Sequence, residues 1–184
     1  MDDIELLSGV LTKTGDLIEG VRPDQGSLPT PCPDYDVDAL LDHIVGWVQV
    51  FEAGSEGRTF EGDPSAFHVG DDPAAEFRRS ASNLAASWRR QGVDRDVAIS
   101  NGDKMPGAMV LNMTVMEYLA HGWDLARATG QDESLDPQKC AEMLEGMLPM
   151  DEVLRQSGQY GPRVDVPDDA DVQTKLLAFI GRTP

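Results

Sequence analysis

The chain has 184 residues, 40% of them hydrophobic, with 15 basic against 33 acidic side chains and a formal charge of −18. That balance, with an isoelectric point near 4.3, argues against a surface that neutralises phosphates, so nucleic acid is not an expected partner. No stretch approaches the roughly 20 apolar residues that span a bilayer, so no membrane partner is expected. Cys32 and Cys140 are too few for a disulfide framework.

The length suits one substantial core, and a single domain over 1–184 is expected. The start, MDDIELLSGV, lacks the basic flank and apolar run of a signal peptide, which makes the cytoplasm the expected location. Ile4, Leu7, Val10, Leu11, Leu17 and Ile18 recur at helical spacing and predict a first helix over 2–20. Pro23, Pro29, Pro31 and Pro33 then break the pattern, and Asp36 suits the N-cap of a second helix, Val37 to Glu52. Residues 54–72, rich in glycine, proline and acids, read as a long loop of the kind that often forms a lid. Pro73 opens a third helix to Gln91, with Phe77, Leu84 and Trp88 on one side.

The stretch DVAISNGDKMPG joins a strand-like run to an Asn-Gly turn signal and predicts one small hairpin. A fourth helix, Gly107 to Thr129, is apolar nearly all round and belongs inside a bundle, with Gly130 as its stop. A fifth helix, Asp136 to Met147, and a short terminal one in DVQTKLLAFIG complete the chain. The predicted fold is all-α: an antiparallel helical bundle with extra short helices and a small β-hairpin.

The fourth helix carries the chemistry, in EYLAHGWDLARATGQ. At about 100° per residue, Glu117 and His121 lie about 40° apart and Asp124 about 20° from Glu117 on the other side. All three share a face with Val110, Met113, Ala120 and Ala128, so they look into the core, where an unpaired charge costs several kcal/mol. Gly122 in mid-helix, about 1 kcal/mol worse than alanine, calls for a close neighbour. On the second helix His43 is flanked by Ala39, Gly46, Trp47 and Val50 and has no adjacent acid. Two histidines and a carboxylate from two helices fill three positions of a metal and leave others open, the pattern of a catalytic site. The blander reading is a pair of hydrogen-bonded core histidines, since Glu-x-x-x-His also arises as an ordinary i,i+4 contact. Asp124 is a fourth ligand, a base or a carboxylate that orients a ligand histidine. His68 lies in the polar loop, where exposure is the default. Cys32, just before a helix start, reads as a small buried packing residue whose thiol the helix N-terminus could acidify, and Cys140 reads as core.

Three segments, PTPCPDYDVDALLDHIVG, EYLAHGWDLARATGQ and YGPRVDVPDDADVQTKLLAFIGRTP, together resemble the actinobacterial metal-binding proteins of the DinB/YfiT-like superfamily. The nearest branch is the one related to the N-terminal domain of mycothiol-dependent maleylpyruvate isomerase. The resemblance implies a DinB-like four-helix bundle whose metal ligands match His43, Glu117 and His121. It also implies a low-molecular-weight thiol, such as mycothiol or bacillithiol, as cosubstrate. A divalent ion would hold that thiol as thiolate for attack on an electrophilic small molecule. The isomerase relatives carry a further C-terminal domain that contributes to their active site, so transfer to another acceptor is expected here instead of maleylpyruvate isomerisation. The ion is expected to be zinc, with nickel, iron and manganese also suited to this ligand set. Two other readings stay open: a metal hydrolase, and a metal-stabilised binding protein without catalysis. Either a monomer or a homodimer is compatible with the helix faces. Loop 54–72 is expected to close over the site and exclude water.

Overall fold

A computed structural model of the chain describes residues 3–99, 103–156, 158 and 160–184. The helices are α1 (Asp3–Glu19), α2 (Val37–Ser55), α3 (Pro73–Gln91), α4 (Gly107–Thr129), α5 (Pro137–Met147), α6 (Asp151–Gln156) and α7 (Val172–Phe179). Strands β1 (Asp96–Ala98) and β2 (Lys104–Pro106) pair antiparallel with Val97 opposite Met105. The fold is therefore helical with one small hairpin, as the periodicity predicts. The turn predicted at Asn101-Gly102 lies outside the described residues. The chain forms two compact units, Met1–Asp132 and Glu133–Pro184.

The first unit is a four-helix bundle in which α1 and α2 each pack against both α3 and α4. Polar contacts fix the directions. Arg78 reaches Asp16 and Glu19 at the end of α1, while Arg89, farther along α3, reaches Glu5 near its start, so α1 and α3 are antiparallel. Asn83 donates to Glu52 and Ser87 to the Ser55 carbonyl, which makes α3 parallel to α2. Thr14 meets the Tyr118 carbonyl and Gln131 the Leu17 carbonyl, which makes α4 parallel to α1. The predicted antiparallel bundle is thus refined to an up-down-down-up order with two parallel neighbours. Because α2 and α3 run the same way, the chain between them must return along the bundle, roughly 28 Å for the 19 residues of α2. That return accounts for the length of loop 56–72.

Local chemistry explains the helix ends. Asp36, Asp72, Asp136 and Asp171 each accept a backbone N–H of the following turn, and Gly130 closes α4 at φ 70° in the left-handed region. Gly122 faces α1: a Cβ there would stand 3.3 Å from Thr14 Oγ1, so the close neighbour is a side chain of the bundle. Phe77, Leu84 and Trp88 of α3, Leu40 and Ile44 of α2 and Val110, Leu111 and Leu125 of α4 are fully buried.

In the second unit α5 packs on α7. Arg155 donates to the Gly161 and Phe179 carbonyls, and both Arg155 and Arg163 lie over the Phe179 ring and pair with Asp151. Cys140 is buried here, as predicted, and burial, then Asp136 and Asp171, push its thiol up to about 11. Among the described residues no helix is long and apolar enough to cross a membrane.

Candidate metal centre

Two elements and one loop build the site. The loop preceding α2 is held by its own polar groups: the Thr30 hydroxyl sits between the Cys32 and Tyr35 carbonyls at 2.9 and 2.8 Å. The Tyr35 N–H donates to the Cys32 carbonyl, and Pro29 bridges to Asp36. Asp36 then caps α2 through the Ala39 N–H at 2.9 Å and starts the helix two turns before His43.

His43 on α2 and Glu117 on α4 meet at 2.7 Å, Nε2 to Oε1, and His121 Nε2 lies 3.7 Å from the same oxygen. One ligand atom from each of the three falls within 4.8 Å of the others. The structure thus brings together the residues that sequence reading grouped. Their side chains keep between 11% and 24% exposure, so the site is sunk in the bundle wall but open on one side. The imidazole rings stand 4.8 Å apart at 72°.

The outer nitrogens are also engaged. Asp124, with no exposed side-chain surface, lies 3.0 Å from His121 Nδ1. A carboxylate only accepts, so it holds His121 with the proton on Nδ1 and the lone pair on Nε2, toward Glu117. The Tyr35 hydroxyl lies 3.0 Å from His43 Nδ1, and its ring packs 4.8 Å from the imidazole. A hydroxyl both donates and accepts. It can donate to Nδ1 while Nε2–H donates to Glu117, or accept from Nδ1–H when the Nε2 lone pair is needed elsewhere. Burial, then the charges of Cys32, Glu117 and Asp34, hold the Tyr35 phenol above its ordinary value, so at neutral pH it keeps its proton. Two imidazole nitrogens and a carboxylate oxygen, with both outer nitrogens engaged, are a donor set that fits a divalent ion.

Tyr35 was invisible to sequence spacing, because it reaches His43 from a loop instead of from a helix face. Cys32 is the second surprise: its sulfur, a His121 nitrogen and an Asp124 oxygen also lie within 4.8 Å of one another, all buried. His68 is elsewhere. Its side chain is 83% exposed and pairs with Asp42 at 2.6 Å. The Val69 N–H also donates to Asp42, and Phe67 packs on Gly46, so loop 56–72 is pinned to α2 on either side of His43 in sequence.

The model of the mycothiol maleylpyruvate isomerase N-terminal domain family matches residues 8–126, within the bundle unit. The chain belongs to that family. This agrees with the DinB-like branch indicated by the three sequence segments. Two Mycobacterium tuberculosis proteins, designated uncharacterized proteins Rv0738 and MT0763, are each 26% identical over 179 residues, 91% of this chain and 90% of theirs. Two crystal structures of mycothiol-dependent maleylpyruvate isomerase, one of a histidine-to-alanine variant, superpose with TM-scores of 0.54 and 0.52 at 14% identity. These matches cover 67% of this chain and 59% of the isomerase. At that identity the likeness establishes the shared fold.

Proposed function

We propose that this member of the mycothiol maleylpyruvate isomerase N-terminal domain family binds a divalent ion, zinc first among the suitable metals. In this reading it uses a low-molecular-weight thiol of the mycothiol type to attack an electrophilic small molecule, as a thiol S-transferase. The observation that carries the reading is the convergence of His43, Glu117 and His121 from two helices on one carboxylate oxygen, at 2.7 and 3.7 Å.

When bound, a divalent ion lowers the pKa of a thiol it coordinates, which otherwise lies near 8.5 and leaves most of the thiol protonated at pH 7. The protein's part is to hold that arrangement. His43 and His121 present nitrogens and Glu117 an oxygen; Asp124 fixes the His121 tautomer, and Tyr35 satisfies His43 in either tautomer. Full burial suits Asp124 to orienting His121, a role in which it never touches substrate. The partly exposed side, between His43 and Glu117, is where thiol and acceptor would enter. Trp47 lies beside the His43 ring at 6.1 Å, and loop 56–72 is held on α2 at Asp42 and Gly46.

The test is elemental analysis of protein purified without a metal-affinity tag, native against His43→Ala and Glu117→Ala, followed by thiol-consumption assays with a panel of electrophiles. About one equivalent of metal, lost in both variants, together with metal-dependent thiol transfer, is the expected result. Metal absent from the native protein, or unchanged in the variants, overturns it.

A further inference from the structure

We infer that the protein contains a second, thiolate-bearing cation seat made of Cys32, His121 and Asp124, adjacent to the first and mutually exclusive with it. It rests on the metal reading above only through the shared His121. Sulfur, imidazole nitrogen and carboxylate oxygen lie within 4.8 Å of one another, and all three residues are buried. They come from two separate pieces of chain, the self-bonded turn at Thr30 to Asp36 and the middle of α4. Thiolate, imidazole and carboxylate together are a set for a strongly thiophilic divalent ion such as cadmium, whereas His43, Glu117 and His121 offer only nitrogen and oxygen, which suit zinc and harder ions.

Exclusivity follows from proton and lone-pair counting. A neutral imidazole has one lone pair, so His121 serves one seat at a time. Occupation of the second seat releases the Cys32 thiol proton to solvent, leaves Asp124 ionised, and replaces the Asp124 contact to Nδ1 by coordination. The metal's identity thus decides the seat: a strongly thiophilic ion such as cadmium takes the Cys32 side, and zinc or a harder ion the Glu117 side. Tyr35 adjoins both histidines, hydrogen-bonded to His43 and with its ring centroid 6.1 Å from that of His121.

Metal-free protein titrated with cadmium(II) and, separately, with manganese(II) tests this. Cadmium is expected to bind at one equivalent with an ultraviolet thiolate-to-cadmium charge-transfer band. Cys32→Ser should abolish the band and weaken cadmium about tenfold or more, leaving manganese affinity within about twofold. His43→Ala, which empties only the first seat, should lose manganese and keep the cadmium band. No band in the native protein, a band that survives Cys32→Ser, or two equivalents of cadmium would overturn the proposal. If manganese binds and cadmium gives no band, the second seat alone falls; if neither ion binds, the metal reading falls with it. Circular dichroism of each variant excludes unfolding as the cause of a lost band.

Discussion

Tyr35 and Cys140 show how a single side chain's setting outweighs its type. Replacing Tyr35 by phenylalanine keeps the ring packing on His43 and deletes only the hydroxyl at 3.0 Å. Loss of such an outer partner typically weakens a metal by 10–100-fold, and a competition titration against a chelating dye should read that loss while the melting temperature of metal-free protein hardly moves. Cys140 is reduced and buried, and its folded pKa, about 11 against an ordinary 9, is raised chiefly by burial. The folded state therefore disfavours the thiolate. The stability linked to this group is fully present below pH 9 and is lost as pH rises through 11. In a Cys32→Ser background, a thiol reagent at pH 8 should leave Cys140 untouched until denaturant is added, and the alkaline loss of stability should shrink in Cys140→Ala. The sequence showed Cys140 to be core because it lies on an amphipathic helix. It could not show Cys32 near His121, since 89 residues of chain separate two groups that only the bundle brings together.

At the scale of elements, helix extents were legible because caps and periodicity are local. Asp36, Pro73 and Gly130 stand where the capping rules put them, and α3 and α4 begin and end on the predicted residues. α2 runs three residues beyond its predicted end at Glu52, to Ser55. The extra turn carries Gly54, where a Cβ would stand 2.5 Å from the Ala98 carbonyl of β1. Gly54→Ala should therefore destabilise by about 1–3 kcal/mol through overpacking, against a propensity gain of about 1 kcal/mol. Urea unfolding midpoints would read the sign, and a stabilised variant would show that the hairpin does not lean on α2. α6 went unpredicted because six residues, Asp151–Gln156, hold too little periodicity to stand out from a loop.

For the whole molecule, the site joins helices that are far apart in the chain. An ion held by His43 on one side and Glu117 and His121 on the other would tie α2 to α4. Adding a chelator to metal-loaded protein should lower the melting temperature, with no further drop in His43→Ala. An equal drop in both would place the stabilising ion elsewhere. Loop 56–72 gives a second check at this scale. Its contacts at Asp42 and Gly46 touch no proposed ligand, so shortening it should change thiol turnover more than metal content; loss of metal would assign the loop to the site's structure.

The sequence by itself determined the bundle helices, α5 and α7, the cap at Asp36 and the stop at Gly130, the inward face shared by Glu117, His121 and Asp124, and the candidacy of His43, because each depends on neighbours within a few turns. Only the tertiary structure decided that α2 and α3 run parallel, that Tyr35 completes His43, and that Cys32 stands beside His121 and Asp124. Those facts depend on which helix packs against which and on where a proline-rich loop is held. Periodicity along one element carries no information about either.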